Sequence, residues 1–561
     1  MRKKRPFFKH YKKIFVNEFR GYSTSKFFKD LLAGLTVAAV ALPLALAFGA
    51  ASVDAENAAV GIAAGLITAI IAGIAIGALG GGSFQISGPT GAMTVVLGGI
   101  VGGKYGIKGM FVACFMAGFI MLVAGLLRFG KLVQFIPRPV VTGFTSGIAI
   151  VIALGQAGNF FGVTLHGETT VGKIINLFSE QMGDVKIWSV ICSLIVVGIM
   201  VFYPKKFRKY VPGSLVGIIL ISIVAFAFKI NVAKIGSIPS SLINSVSLKL
   251  TEVNLPMITD LFGAAVTIAA LGMIESLLCG VCAAKMKSEK FDSNVELIAQ
   301  GVGNMIIPFF GGVPATAAIA RTSVSVKSGG QTRVTSIVHS LFLIVCMFAL
   351  PSVIAVVPYA ALAGVLLVTA WRMNEWEAIR TYFKRKMWDA IAMYMITLVA
   401  TVFLDLTYAI VIGVILSLFI MVKNTSIQIE CTPVDGKYVD ANSVEKNAVI
   451  VYSTGALFFA NANELEKIVM QQADKYEHFI FVIRGITYLD VSATDALSEL
   501  VAKLRKDGKT FCFTGTNDNV YTHMKRSGFV ELVGEDSFYP SIDKVLLNMN
   551  IDCSKYEKGL I

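Results

Sequence analysis

Three residues of this sequence set a demanding side chain among apolar neighbours: Glu275, Arg321 and Thr90. Glu275 lies in the run 261–282, whose other residues are apolar, small or hydroxylic. A carboxylate at membrane depth is costly and marks a functional position. It can bind a sodium ion, take up a proton, or neutralise Arg321. The first two would tie a solute's movement to a gradient; the third is structural. An arginine at that depth costs about 2.5–3.5 kcal/mol on the insertion scale, so Arg321 must face a cavity or a partner. Either it attracts an anion, or it sits at a cytosolic mouth as a topology charge with Lys327 and Arg333. Thr90 offers a hydroxyl where a helix begins, as an N-cap, as a ligand group, or as both, since the two roles are compatible.

Two unusual stretches must position these groups. Residues 80–94, GGGSFQISGPTGAMT, are broken by Gly and Pro before a short apolar helix, and residues 308–322, PFFGGVPATAAIART, repeat the pattern. Extended backbone at membrane depth is tolerated only when buried in protein or lining a cavity. Breaks at the third and tenth places in the order of spans point to seven-span inverted repeats meeting at a central site. The plainer alternative is two tight turns between ordinary helices. Helices starting near Thr90 and Thr316 would aim two N-termini at one pocket. Each would supply free N–H groups and roughly half a unit of positive charge, which suits an anion.

The composition agrees with a membrane setting. Of 561 residues, 55% are hydrophobic and only 15% charged, too few charges to cover a soluble domain of that length. The runs 31–53, 58–103 and 187–203 carry no Lys, Arg, Asp or Glu. The net charge of +14 gathers at the N-terminus (Arg2, Lys3, Lys4, Arg5, Lys9, Lys12, Lys13) and in short loops. That is a topology signal and not a nucleic-acid footprint. The first apolar run lacks a cleavage pattern and is expected to be a retained span. Eight cysteines are scattered, and Cys279-Gly-Val-Cys282 has neither a second pair nor a nearby His to complete a zinc set. We expect no enzyme and no bound cofactor beyond a coupling ion, sodium or proton.

About fourteen spans fit: 31–50, 58–79, 90–103, 108–128, 136–158, 185–203, 212–228, 259–283, 293–310, 316–327, 333–350, 352–370, 386–403 and 405–423. With the N-terminus inside, cytosolic loops hold Arg128, Lys131 and Arg138; Lys205, Lys206, Arg208 and Lys209; Lys285, Lys287 and Lys290; Lys327 and Arg333; and Arg372, Arg380, Lys384, Arg385 and Lys386. Outer loops are poorer in basic residues, apart from Lys104, Lys108, Lys173, Lys229, Lys234 and Lys249. Past Lys423 the character changes. Strands near 448–452, 478–483 and 510–514 alternate with helices near 462–475, 489–506, 519–527 and 539–548, a compact α/β domain.

In these motifs the sequence resembles the SulP family of anion transporters over nearly its whole length. The resemblance is carried by ALPLALAF at 41–48, QISGPTGAMT at 85–94 and LGMIESLL at 271–278. DSNVELIAQGVGN at 292–304, ARTS at 320–323 and SGG at 328–330 complete it. The broken third span is most similar to bicarbonate-transporting members. The resemblance implies a core-and-gate transporter of two inverted seven-span repeats, usually a homodimer, followed by a cytosolic STAS domain. Phe48, Thr90 and the Ala317-Ala318-Ile319 backbone would then line the anion site, with Arg321 close by and Glu275 as the coupling residue. Sodium-coupled members tend to have Asp, Thr and Gly-Ala-Thr where this chain has Glu275, Cys279 and Ala317-Ala318-Ile319. Losing hydroxyl ligands weakens sodium and makes a proton competitive. The turn LDVSAT at 489–494 resembles one that is phosphorylated in bacterial regulators, with Ser492 at the modified position; the alternative is an N-cap Ser or Asp.

The expected organisation is a basic cytosolic segment 1–30, a transmembrane transport domain 31–423, a linker 424–446, a STAS domain 447–553 and a tail 554–561. The expected function is secondary active transport of a small inorganic anion, of the bicarbonate or sulfate class, across the cytoplasmic membrane. Coupling would be to protons or sodium, or by anion exchange, with both termini cytosolic. A dicarboxylate or nucleobase permease of the same architecture is the related alternative, and a STAS-based membrane signalling protein the distant one.

Overall fold

The computed structural model describes residues 7–53, 57–130, 137–165, 170–179, 181–204, 212–236, 241–243, 246–404, 406–424, 428–433 and 448–548. The expected loop charges Lys131, Lys205, Lys206, Arg208 and Lys209, the basic residues Arg2, Lys3, Lys4 and Arg5, part of the expected linker, and the tail 554–561 lie outside the described residues. The chain divides into two compact units, Met1–Ser417 and Leu418–Ile561.

Each of the fourteen expected segments falls on a helix. They are α1 (Thr24–Ala51), α2 (Ala58–Leu79), α3 (Gly91–Val101), α4 (Gly106–Leu126), α5 (Arg138–Gly155), α6 (Ile187–Phe202), α7 (Gly213–Ala227), α8 (Leu255–Lys287), α9 (Ser293–Ile306), α10 (Ile319–Lys327), α11 (Val334–Ala349), α12 (Tyr359–Met373), α13 (Trp388–Phe403) and α14 (Leu406–Asn424). Among the described residues, five helices are long and apolar enough to cross a membrane by length and composition: α1, α2, α4, Arg138–Phe161 and α8. Two strands interrupt the helices, β1 (Ser87–Gly88) and β2 (Thr316–Ala317).

Packing sorts the first unit's helices into two bundles. One holds α1, α2, α4, α8, α9, α10 and α11 with α3 at its edge; the other holds α5, α6, α7, α12, α13 and α14. Each half of the chain thus gives its first four helices to one bundle and its last three to the other, as two related seven-helix halves would. Glycines bring backbones together in both. A Cβ on Gly118 of α4 would stand 2.6 Å from the Met305 amide nitrogen of α9. One on Gly143 of α5 would stand 2.4 Å from the Tyr394 carbonyl of α13. Only glycine permits such approach.

The structure corrects several expectations. The tenth helix begins at Ile319 and not near Thr316, because Thr316 and Ala317 are taken up by strand pairing. The expected twelfth span, 352–370, splits into Pro351–Ala355 and α12. Between them the Ala355 and Val357 carbonyls accept from the Gly236 and Ile235 amides, a contact that holds the chain extended ahead of Pro358. Arg333, expected as a loop charge, is buried and paired with Glu18 at 2.7 Å. Beside it Asp30, fully buried, accepts from Tyr22, Thr332 and Thr335 hydroxyls and from the Gln331 and Thr332 amides. Buried charges persist only when so satisfied.

The second unit holds a five-stranded sheet of β3 (Gln428–Pro433), β4 (Ala448–Leu457), β5 (His478–Leu489), β6 (Thr510–Thr514) and β7 (Phe538–Tyr539), ordered β3-β4-β5-β6-β7. β3 pairs antiparallel to β4; the other pairs are parallel. β3 falls inside the expected linker, where its short apolar alternation gave no warning of an edge strand. One sheet face packs Val449, Phe481 and Phe513 against α15 (Ala462–Met470), α16 (Val491–Lys506), α17 (Asp518–Arg526) and α18 (Phe529–Val533). The other packs Ile450 and Ile480 under α19 (Ile542–Asn548). Burial pushes the Cys512 thiol on that face up to about 12, leaving it an inert apolar group. With two buried faces, a fragment 425–561 is expected to fold alone and unfold cooperatively by circular dichroism. A fragment starting at 440 loses β3 with Ile429 and Cys431, and should melt several degrees lower. A fragment 425–561 without structure would overturn the assignment.

Candidate functional site

The two breaks meet. β1 and β2 pair antiparallel, with Ser87 opposite Ala317 and Gly88 opposite Thr316, the geometry that two segments related by a twofold axis adopt. Extended backbone here has no helix to satisfy it, so neighbouring side chains do so. Ser276 Oγ on α8 accepts from the Ala317 amide (3.1 Å), and Thr322 Oγ1 on α10 from the Ile86 amide (3.1 Å). Asn304 on α9 grips Ala315 like a peptide partner: its Oδ1 accepts from the Ala315 amide at 2.7 Å and its Nδ2 donates to the Ala315 carbonyl at 2.9 Å. Gln300 donates to Ser87 Oγ (3.0 Å) and to Glu296 Oε1 (2.9 Å), while Glu296 Oε2 accepts from the Gly81 amide (2.9 Å). Every one of these side chains is fully or nearly fully buried.

Each strand leads directly into a helix. Thr90 is the residue before α3 and Ala318 the residue before α10, both extended, and no side chain caps either helix. The N-terminal amides of both helices are therefore left to other acceptors, and both ends start from one two-residue ladder. Thr90 occupies the N-cap position of α3, but its side chain does not cap the helix. Its hydroxyl donates instead to Glu275 Oε2 at 2.9 Å and lies 3.1 Å from Thr316 Oγ1.

Glu275 is where these contacts converge. Thr316 Oγ1 donates to the same Oε2 at 2.7 Å, so one carboxylate oxygen collects a hydroxyl from each half of the chain. Oε1 accepts from none of the described residues, and Glu275 is partly exposed, whereas Thr90 and Thr316 are buried. Among the described residues no ion pair joins Glu275 to Arg321. The salt bridge considered for Glu275 is thus not formed by direct contact.

Arg321 is 1% exposed. Its Nη2 donates to the Pro89 carbonyl at 2.6 Å, across from one half to the other. Its Nη1 presses on Gly88, where a Cβ would stand 2.3 Å away. Gly88 thus makes room for the guanidinium behind the strand pair. From there Arg321 contributes charge to the site through its field.

The other expected residues fare unequally. Phe48 is buried, with Cε1 3.0 Å from where a Cβ on Gly91 would be, so its ring covers the start of α3. Ile152 of α5 meets the same point at 2.4 Å from the opposite bundle. Ala317 is buried and its amide is engaged by Ser276. Ala318 gives its amide to the Ile86 carbonyl, and Ile319 is 48% exposed. In the second unit Ser492 is exposed in the first turn of α16 while Asp490 caps the helix, accepting from the Ala493 amide at 2.8 Å. Cys279 and Cys282 are free; Cys279 donates to Thr322 Oγ1 at 3.4 Å. Thr316 was not among the candidate ligands. Its sign in the sequence was a hydroxyl at the second break in the place matching Thr90 at the first.

Two broken helices meeting at a small strand pair beside a carboxylate, inside a multi-pass helical unit, define a membrane transport protein. Residues 27–396 match the sulfate permease family and residues 439–545 the STAS domain, so the chain belongs to the sulfate permease family and is an anion transporter with a C-terminal STAS domain. It is 32% identical to the Bacillus subtilis protein YvdB over 95% of this chain and 99% of that protein. It is 28% identical to the bicarbonate transporter BicA of Picosynechococcus sp. over 92% and 94%. Sulfate transporter 4.1 of Arabidopsis thaliana is 25% identical over 93% and 80%. Among solved structures, the murine anion transporter Slc26a9 in its inward-facing state shares the fold, with a TM-score of 0.84, 19% identity, and 98% and 96% of the two chains covered. The transmembrane domain of a cyanobacterial BicA aligns with a TM-score of 0.61 and 27% identity, covering 71% of this chain and 98% of that one.

Proposed function

We propose that this chain is a secondary active transporter of a small inorganic anion, of the bicarbonate or sulfate class, with Glu275 carrying the coupling ion. The observation that carries the reading is the convergence of α3, α10 and Glu275 on one two-stranded ladder. Two uncapped helix ends supply about one unit of positive charge between them, and Arg321 adds its field from behind. The uncapped first amides of α3 and α10, beside the small side chains of Ala317 and Ala318, suit a compact anion. The sole hydroxyl in 315–320 is Thr316, already committed to Glu275, so little is left to read the edges of a nucleobase. Relatives named for bicarbonate and sulfate support the substrate class.

In this reading about fourteen elements cross the cytoplasmic membrane, the third and tenth each as a short strand leading into a short helix, both termini are cytosolic, the STAS domain supports a homodimer, and Ser492 is a regulatory position exposed for modification. The deciding experiment is uptake into proteoliposomes of labelled bicarbonate, sulfate and a dicarboxylate, with imposed pH or sodium gradients. Accumulation of one inorganic anion above equilibrium is expected. Equilibration alone under every gradient, or preference for the dicarboxylate, would overturn the proposal.

A further inference from the structure

We propose that His339 is a positioning residue for Arg321, joined to it by one buried water behind the strand pair and fixing where the guanidinium's charge acts on the anion site. This rests on the reading of Arg321 as a source of field at that site.

His339 lies on α11, is fully buried, and takes no part in the contacts described above. Neither of its ring nitrogens has a hydrogen-bond partner among the described residues. The same holds for Nε and Nη1 of the buried Arg321. The Ser336 carbonyl, one turn earlier on α11, comes near the imidazole without reaching bonding geometry. A buried donor left without an acceptor is costly, and more so on a charged group.

The two side chains face one stripe of α2. Arg321 Nη1 lies 2.3 Å from where a Cβ on Gly88 would stand, and that point is 3.5 Å from Ala69 Cα. His339 Nδ1 lies 3.1 Å from the corresponding point on Gly73. Ala69 and Gly73 are four apart on the helix, and such positions stand about 5–6 Å from each other. One water making two hydrogen bonds of about 2.9 Å spans that gap. The partners are complementary. Arg321 has only donors, whereas a neutral imidazole keeps one nitrogen as an acceptor in either tautomer. The Ser340 hydroxyl meets the same Gly73 point and donates to the Ser336 carbonyl, so its lone pairs are free for a further bond. A buried water is held by about three such partners. Arg321 is also the charged group whose field reaches His339.

Arg321, His339, Ser340 and Gly73 all belong to one bundle. The bundles can shift past each other without disturbing this link, so its loss should show in anion affinity and not in maximal rate.

The test follows uptake of labelled sulfate and labelled bicarbonate by the full chain in proteoliposomes over a range of anion concentrations. His339→Leu keeps the bulk and removes the acceptor; it should raise KM by about tenfold and leave the maximal rate within about twofold. His339→Gln offers a carbonyl oxygen at similar reach and should bring KM back to within about threefold of wild type. In an Arg321→Gln background the cation is gone, and His339→Leu should add little to KM. An unmoved KM in His339→Leu, an effect on maximal rate alone, no recovery in His339→Gln, or fully multiplicative effects in the double variant overturns the proposal. If His339→Leu is lost from the membrane, His339→Met, more pliant and without a strong acceptor, is read instead; loss of both marks a folding role and overturns the positioning one. The two readings fail separately. An Arg321→Gln variant with wild-type KM removes the field role itself, whereas a raised KM there with an unmoved KM in His339→Leu removes only this inference.

Discussion

Glu275→Gln is expected to abolish gradient-driven accumulation while leaving the protein in the membrane and able to bind its anion. Glutamine keeps the volume and a carbonyl oxygen for the Thr90 and Thr316 hydroxyls, so the hydrogen-bonded cluster has a neutral substitute. What it loses is the ability to gain and lose a charge. For one-to-one coupling, a pH gradient of one unit sustains about a tenfold anion gradient. In the variant the ratio should fall to equilibrium, with exchange of labelled for unlabelled anion retained. Vesicle uptake against time, with and without the gradient, separates the two. Loss of the protein from the membrane would instead mark the charge as structural. Against that, no cation pairs with Glu275 among the described residues.

The second large effect is expected at Thr90. Thr90→Glu puts a carboxylate at the start of α3 and about a hydrogen-bond length from Glu275, where two like charges oppose each other and the incoming anion. Transport should vanish at every anion concentration. Thr90→Ala removes one neutral hydrogen bond to Glu275, worth about 0.5–1.5 kcal/mol net, so its effect on apparent affinity, exerted through Glu275, should be about tenfold or less. The contrast between the two variants is the informative quantity. Thr90→Glu protein that reaches the membrane and transports normally would show that the anion binds elsewhere.

Much of this site was legible because membrane depth makes polar and broken sequence conspicuous. A lone carboxylate among apolar residues, and Gly- and Pro-interrupted runs at matched places, each stand out against a background that otherwise repeats. The convergence of Thr90 and Glu275 could not be read, since they lie 185 positions apart and no local pattern joins them. Thr316 was passed over because a threonine next to a predicted helix start reads as a cap; only the register of β1 against β2 turns it toward Glu275. Arg321 and Arg333 look alike in sequence, each a basic residue near a turn. One sits behind the break against Pro89 and the other beside Glu18, a difference fixed by tertiary packing alone. In the second unit the strand–helix alternation was plain, while β3 and β7 were missed because short edge strands carry little periodic signal.

The strand pair ties the chain's two halves into one block. β1 and β2 share a ladder, Arg321 of the second half holds Pro89 of the first, and Glu275 takes a hydroxyl from each. Drawing the breaks apart would strand peptide groups and a guanidinium where no water replaces the lost partners. A pocket built this way cannot open like a pair of jaws. Its outline is preserved whichever way it faces, and the side to which it is exposed is decided by what leans against it, such as Ile152 over Gly91.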